Sequence, residues 1–490
     1  MAPVAASAPR WSAAMLATSL LVGLLLAGST LLGAAAGVAH GGEPPAAAPP
    51  AAPPAAPPAA PFVPSAERGY RHILDTPYIP PTFDDDDVDH LYTLWPAAER
   101  AAAEAASKEA RRALTFARYG LTPRPDDPAK PLQYVVDERG RWSLNCFSCH
   151  GGQVEDRVLP GLPNAHFAFQ DLVDDVARLA AQRGDTPTAM ATSLWRRIPL
   201  GTSHGTTNAV VFSMALGAFR DADLKLVLPK AAPKFVHHDL DAPPWWNVRK
   251  RPRLYVDGVT KKSHRALMQF LMVPMNGPER FRAWDDEFKD VLAYLESVPV
   301  PRWPGAVDAT LAAAGRVAFE RTCAPCHGTY GATPTYPAVV VPVDELGTDR
   351  VRHDAIPRSE RERYARSWFV DGRADDVDLD PKGYVAPPLD GVWASAPYFH
   401  NGAVPTLWHV LHPEARPAAW RRKGPSAYDR ARVGLDVEAA AAVPTEHADP
   451  WSRRRWFDTT AAGKSAAGHL YPATLTDDER RAVLEYLKTL

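Results

Sequence analysis

Hydrophobic and polar positions divide the chain into stretches of different period. From Ala13 to about Val38 the residues form a largely apolar run, with Arg10 just ahead and small residues before His40. This is the layout of an export signal, and the run is also long enough to span a bilayer. Residues 1–39 are therefore read as a signal peptide or membrane anchor, which places the remainder outside the cytoplasm: periplasmic, or tethered at the membrane if the segment is retained. Glu43 to Pro61 is almost only Pro and Ala, a composition that buries no core and extends as polyproline II at about 3.1 Å per residue. Residues 40–65 form that linker. Beyond it the apolar positions take helical spacing. Asp285-Asp286-Glu287, followed by Val291-Leu292 and Tyr294-Leu295, recurs at an offset of 192 as Asp477-Asp478-Glu479, Val483-Leu484 and Tyr486-Leu487. Each copy reads as an amphipathic helix with apolar residues at i, i+3, i+4 and i+7, and Thr476 with Glu479 forms a capping box for the second. Helices are also predicted over Ala101–Phe116 and across Leu311, Gly315 and Phe319. Ser297–Pro304 holds three prolines, which deny helix and sheet hydrogen bonds and mark a boundary between units at 66–300 and 305–490.

Length and charge narrow the picture. A chain of 490 residues, 46% apolar, exceeds what one hydrophobic core usually organises and has ample material for two. The net charge of -2 is spread over mixed stretches without a long basic run, which argues against a nucleic-acid partner.

All four cysteines fall in two Cys-x-x-Cys-His units, Cys146-Phe147-Ser148-Cys149-His150 and Cys323-Ala324-Pro325-Cys326-His327. Two thiols three residues apart on one turn can each add to a haem vinyl group, and the next histidine is then held beneath the iron as proximal ligand. Zinc sites, redox dithiols and local disulfides compete for the same cysteines. None of them requires a histidine after both pairs, and zinc ribbons place their pairs far closer together. The reading is two covalently bound haems c on Cys146, Cys149 and His150 (haem 1) and on Cys323, Cys326 and His327 (haem 2). The predicted fold is mainly α, two cytochrome c-like haem domains with long irregular insertions. Each domain would close with one copy of the repeated helix packed on a helix ahead of its haem motif. The insertions would hold whatever is distinctive about the activity.

The sixth iron ligands decide function, because a haem closed by a strong ligand transfers electrons whereas an open one binds a small oxidant. Met190, 40 residues beyond His150, suits the methionine spacing of simple electron carriers. No methionine follows Met275, so a strong ligand from within the second unit must come from His353, His400, His409, His412, His447 or His469. His409 and His412, three apart on one helix face, would suit a metal, but two ligands alone are usually structural. Glu155 and Asp156 could carry a proton near haem 1, or form a solvated acidic loop.

Ala386-Pro387-Pro388-Leu389-Asp390-Gly391-Val392-Trp393-Ala394-Ser395-Ala396-Pro397-Tyr398-Phe399-His400-Asn401-Gly402-Ala403-Val404-Pro405-Thr406-Leu407 resembles the signature of the bacterial di-haem cytochrome c peroxidase superfamily, in particular its rubber-oxygenase-like branch. The ending Gly468-His469-Leu470 before Leu475-Thr476 is similar to the same branch. The resemblance implies that haem 1 meets peroxide or dioxygen while haem 2 exchanges electrons with a small redox partner protein. It also implies a displaceable distal histidine at haem 1, matched by His166, and His469 as the distal ligand of haem 2. A tryptophan between the haems would be Trp245 or Trp246, with Trp246 chosen as the catalytic candidate beside His166. His400, inside the signature, would organise hydrogen bonds rather than bind iron. Two rival readings remain: a non-enzymatic electron carrier, and an oxygenase acting on an organic substrate.

Overall fold

The computed structural model describes residues 62–197, 201–229, 235–447 and 449–490. The apolar run within 1–39 and the Pro/Ala stretch up to residue 61 lie outside the described residues. Helices carry most of the architecture, with short antiparallel strands set between them. No helix among the described residues is long and apolar enough to cross a membrane.

Six helices frame the molecule. Helix α1 (Ala66–Asp75) starts at Ser65, whose hydroxyl accepts from Arg68 N, and buries Ile73 and Leu74. Helix α2 (Lys108–Tyr119) is capped by Ser107 and ends on Gly120 in the left-handed region at φ 68°, the usual way for a helix to stop. Helix α3 (Phe169–Arg183) is buried along much of its length. Helix α4 (Asp285–Ser297) opens on three acidic residues, which complement the positive end of its dipole. Helix α5 (Ala309–Thr322) is capped by Asp308 and runs directly into Cys323. Helix α6 (Asp477–Leu487) has the expected capping box: Thr476 takes the Glu479 amide and Glu479 takes that of Thr476.

These helices form two matching pairs, α1 with α4 and α5 with α6. A Cβ built on Gly69 of α1 would come within 2.0 Å of the Asp290 carbonyl oxygen, and one on Gly315 of α5 within 1.9 Å of that of Ala482. Asp290 and Ala482 are related by the same offset of 192 that relates the sequence copies. A missing side chain thus lets the backbones touch at the equivalent point of both crossings.

The partner of α4 differs from the expectation. The helical stretch Ala101–Phe116 is broken into Ala97–Ala105 and α2, because Ser107 caps a new helix and Ala106 is extended. The role of leading helix passes to α1, whose glycine permits the close approach that the alanine-rich stretch was expected to make.

Strands β1 (Phe83–Asp84), β2 (Tyr134–Val136) and β3 (Arg141–Leu144) form an antiparallel sheet in the order β1-β3-β2 that delivers the chain to Cys146. In the second half β4 (Val340–Pro342) pairs with β5 (Gly383–Val385), Val341 opposite Tyr384. A further sheet joins β6 (Ala419–Arg422), β7 (Val437–Ala440) and β8 (Trp456–Asp458), with β6 central. One connected cluster of buried apolar side chains extends from Ile73 to Leu487 through both halves. The Pro-rich segment lies along it: Trp393 donates to the Pro301 carbonyl at 3.0 Å, and Trp303 packs edge-on against Trp393.

Candidate haem sites

Each Cys-x-x-Cys-His unit folds as one helical turn, Phe147–His150 and Ala324–His327, which gathers two sulfurs and the following imidazole at one place. None of the four cysteines forms a disulfide, and all are half-buried. Burial keeps both histidines neutral, pushing His150 down to about 4 and lowering His327. An unprotonated imidazole is the form that binds iron. Thiol pairs outside any disulfide, beside neutral histidines, are the donor set that covalent haem requires.

The Nδ1 nitrogen of each motif histidine turns to a proline carbonyl. His327 Nδ1 is 2.8 Å from the Pro387 oxygen, which fixes the tautomer and leaves Nε2 for a metal. His150 is turned toward the Pro243 carbonyl, without a fully formed hydrogen bond on Nδ1. Both prolines are the first of an Ala-Pro-Pro triplet, Ala242-Pro243-Pro244 and Ala386-Pro387-Pro388. The sequence reading missed this brace, and the repeated triplet was the signal that could have revealed it.

The two sites differ on their opposite sides. The His469 ring centre lies 6.2 Å from that of His327. An imidazole nitrogen sits about 2 Å from a first-row metal and the ring centre about 1 Å behind it, so two rings on one iron have centres about 6 Å apart. His469 is delivered by backbone at φ +51°, after Gly468 at +76°, with its amide donating to Leu346 O at 2.8 Å. A non-glycine residue in the left-handed region costs about 1–3 kcal/mol and tends to mark functional positions. Burial pushes its pKa down to about 3. Of the other C-terminal histidines, His353 has both ring nitrogens engaged, by Asp354 and by the Pro381 carbonyl. His409 is bonded to Thr406, and His412 to the Trp408 carbonyl; no cluster of three potential metal ligands occurs among the described residues.

Among the described residues His150 has no such counterpart. His166 makes no ring contact with it among the described residues; its ring lies near Arg422, His204 and the Pro425 carbonyl, with Nε2 buried and unpartnered. Met190 sits on the helix Thr186–Arg197. Glu155 and Asp156 are the two central residues of the turn joining Gln153–Val154 to Arg157–Val158, both at positive φ, and Glu155 is ion-paired with Arg430. That geometry is a tight hairpin turn.

One short segment connects the two motif histidines. Trp245 stacks on His150 with centroids 4.7 Å apart and an interplanar angle of 28°. Trp246, next in sequence and 2% exposed, donates from its indole to the Asp390 carbonyl at 2.6 Å. Asn247 donates to the Pro388 carbonyl at 2.9 Å, and Lys250 pairs with Asp390 at 2.7 Å. Pro387, one residue before Pro388, holds His327. His400 stands apart from this link, its ring against Tyr384 at 4.5 Å.

The segment that supplies Pro387, His400 and Thr406 has a likeness among known proteins. Residues 383–421 match the family described as RoxA-like, cytochrome c-like. This stretch is similar to a cytochrome c-like domain, a likeness that implies covalently bound haem c. The chain is 29% identical over 254 residues to the uncharacterized protein y4iM of Sinorhizobium fredii, covering 47% of this chain and 56% of that protein. It is 26% identical over 256 residues to the uncharacterized protein y4iJ of the same organism, covering 39% and 41%. The chain spans about half the length of these curated relatives.

Proposed function

We propose that the protein is an exported di-haem oxidoreductase of the cytochrome c peroxidase type, reacting with peroxide or dioxygen at haem 1 and exchanging electrons with a redox partner through haem 2. The observation that carries this reading is the asymmetry of the two sites. His327 faces His469 at the spacing of a bis-histidine iron, whereas among the described residues no histidine ring contacts that of His150. A haem bound at each site would supply one-electron chemistry, closed to small ligands where both axial positions are filled and open where one is free. The chain's own residues then have distinct tasks. Pro243 and Pro387 orient the proximal imidazoles. Trp245 and Trp246 form a packed and hydrogen-bonded connection between the two histidines, and close contact of this kind is what electron exchange between the sites needs. His166, buried and unpartnered at Nε2, is the distal group of haem 1 held in reserve against Arg422.

The test is the spin state of each iron in the full-length holoprotein, read by electron paramagnetic resonance and optical spectra with and without cyanide. One low-spin iron inert to cyanide and one high-spin iron that binds it are expected. Two low-spin irons inert to cyanide in every oxidation state would replace this reading with that of an electron carrier. The match to RoxA-like sequences favours a second reading, oxygenation of an organic substrate at haem 1; carbonyl products formed from a supplied organic substrate would establish it.

A further inference from the structure

Behind β5 the chain encloses more positive charge than it neutralises. The Arg352 side chain is 2% exposed and pairs at 3.1 Å with Asp257, which is fully enclosed, yet Arg352 Nε and Nη1 have no partner. Arg251 and Arg361, both buried, lie near Asp257, and each leaves its Nε unpartnered. Arg251 Nη2 donates to the Tyr255 carbonyl at 2.5 Å. Asp378 and Asp380 approach Arg361 from exposed positions, where solvent screens them. Among the described residues, three guanidiniums therefore gather around the carboxylate of Asp257, while the nearby buried Asp349 is taken up by the amides of Val351 and Ser465. Buried cations with unmet donors cost several kcal/mol unless an anion completes them.

The cluster borders both walls of the haem 2 site. On the proximal side, Tyr336 lies beside Arg251 and donates to the Ala386 carbonyl at 2.8 Å, next to the Pro387 that holds His327. Val385 N donates to the Val256 carbonyl at 2.7 Å, one residue from Asp257. On the distal side Arg352 lies beside His400, and the adjoining Phe399 packs on His469 with centroids 5.8 Å apart. Cys326 looks elsewhere, toward Glu345 and Tyr471. A haem tied through its vinyl edge to Cys323 and Cys326 carries its two propionates on the opposite edge.

We propose that Arg251, Arg352 and Arg361 bind the propionate carboxylates of the haem held between His327 and His469. Two carboxylates balance the charge left by three arginines and one aspartate, and they accept from the unpartnered Nε and Nη1 groups. The inference rests on Cys323–His327 being a haem attachment site.

The experiment compares full-length holoprotein with Arg352→Gln, Arg352→Lys and Arg361→Gln, using three readouts. These are the mass of the haem-bearing Cys323/Cys326 peptide, the propionate bending bands in the resonance Raman spectrum, and the midpoint potential of each haem. In Arg352→Gln the peptide keeps its haem, the propionate bands shift, and the potential of the low-spin haem falls, because a cation that favoured the reduced iron is gone. Arg352→Lys restores the potential, and the other haem does not move. Should Arg352→Gln fail to fold, Arg361→Gln shows the same band shift. Haem attached with bands and potential unchanged in Arg352→Gln and Arg361→Gln overturns the arginine assignment alone. A wild-type peptide without haem overturns the attachment site, and the arginine assignment with it.

Discussion

At the scale of single residues, His469 carries the most specific consequence. Its ring spacing to His327 and its left-handed backbone both point to an imposed position. On the proposed bis-histidine closure, His469→Ala should convert a haem held at His327 from low-spin to high-spin, since no methionine follows Met275 to replace the lost ligand; an unchanged low-spin spectrum would assign the sixth ligand to another residue. His238 offers a pH test away from the iron ligands. It is 1% exposed, its Nδ1 faces the Val236 carbonyl at 3.0 Å, and burial pushes its pKa down to about 4. An unfolded histidine titrates near 6.5, so between these values the unfolded chain binds more protons. Stability is then fully present above about pH 6.5 and is lost as pH falls toward 4, by about 3 kcal/mol at most for this group. His238→Asn should flatten the fall of the melting temperature over that window, and an identical slope would show that His238 does not govern it.

At the scale of elements, the two helix pairs turn on their glycines. Gly69 and Gly315 meet the carbonyl of the facing helix where a Cβ would stand about 2 Å away, and backbone cannot yield as a flexible side chain does. Gly69→Ala and Gly315→Ala should each destabilise the protein by about 1–3 kcal/mol through overpacking, measured by chemical denaturation. A neutral effect would mean that the crossing relaxes freely. The repeat at offset 192 was legible because amphipathic period and caps are local properties. The pairing of α4 with α1 was not, since both Ala101–Phe116 and the stretch after Ser65 have helical character. The glycine contact selects between them only when the backbones meet.

At the scale of the whole molecule, the two halves are joined by buried charge as well as by apolar contact. Asp239 and Lys464 pair at 3.1 Å, with side-chain exposures of 0% and 9%, and Lys464 also donates to Ser203 at 2.6 Å. Asp239→Ala should cost about 3–5 kcal/mol by leaving an enclosed ammonium unpaired, and Lys464→Met added to it should recover part of the loss. A mild effect of Asp239→Ala would show that water reaches this site. The complete holoprotein should carry the mass of two haems, with Cys149→Ser or Cys326→Ser each impairing attachment at one site. A mass corresponding to one haem, or to zinc, would remove the basis of the di-haem proposal. By itself the sequence determined the donor chemistry: two Cys-x-x-Cys-His turns, the closing helices and the absence of a late methionine, all set by spacings within a few residues or by composition. Only the tertiary structure decided which histidine faces which. The spacing of His327 and His469, the stacking of Trp245 on His150 and the charge gathered around Asp257 each depend on residues tens to hundreds of positions apart, which sequence spacing does not fix and packing does.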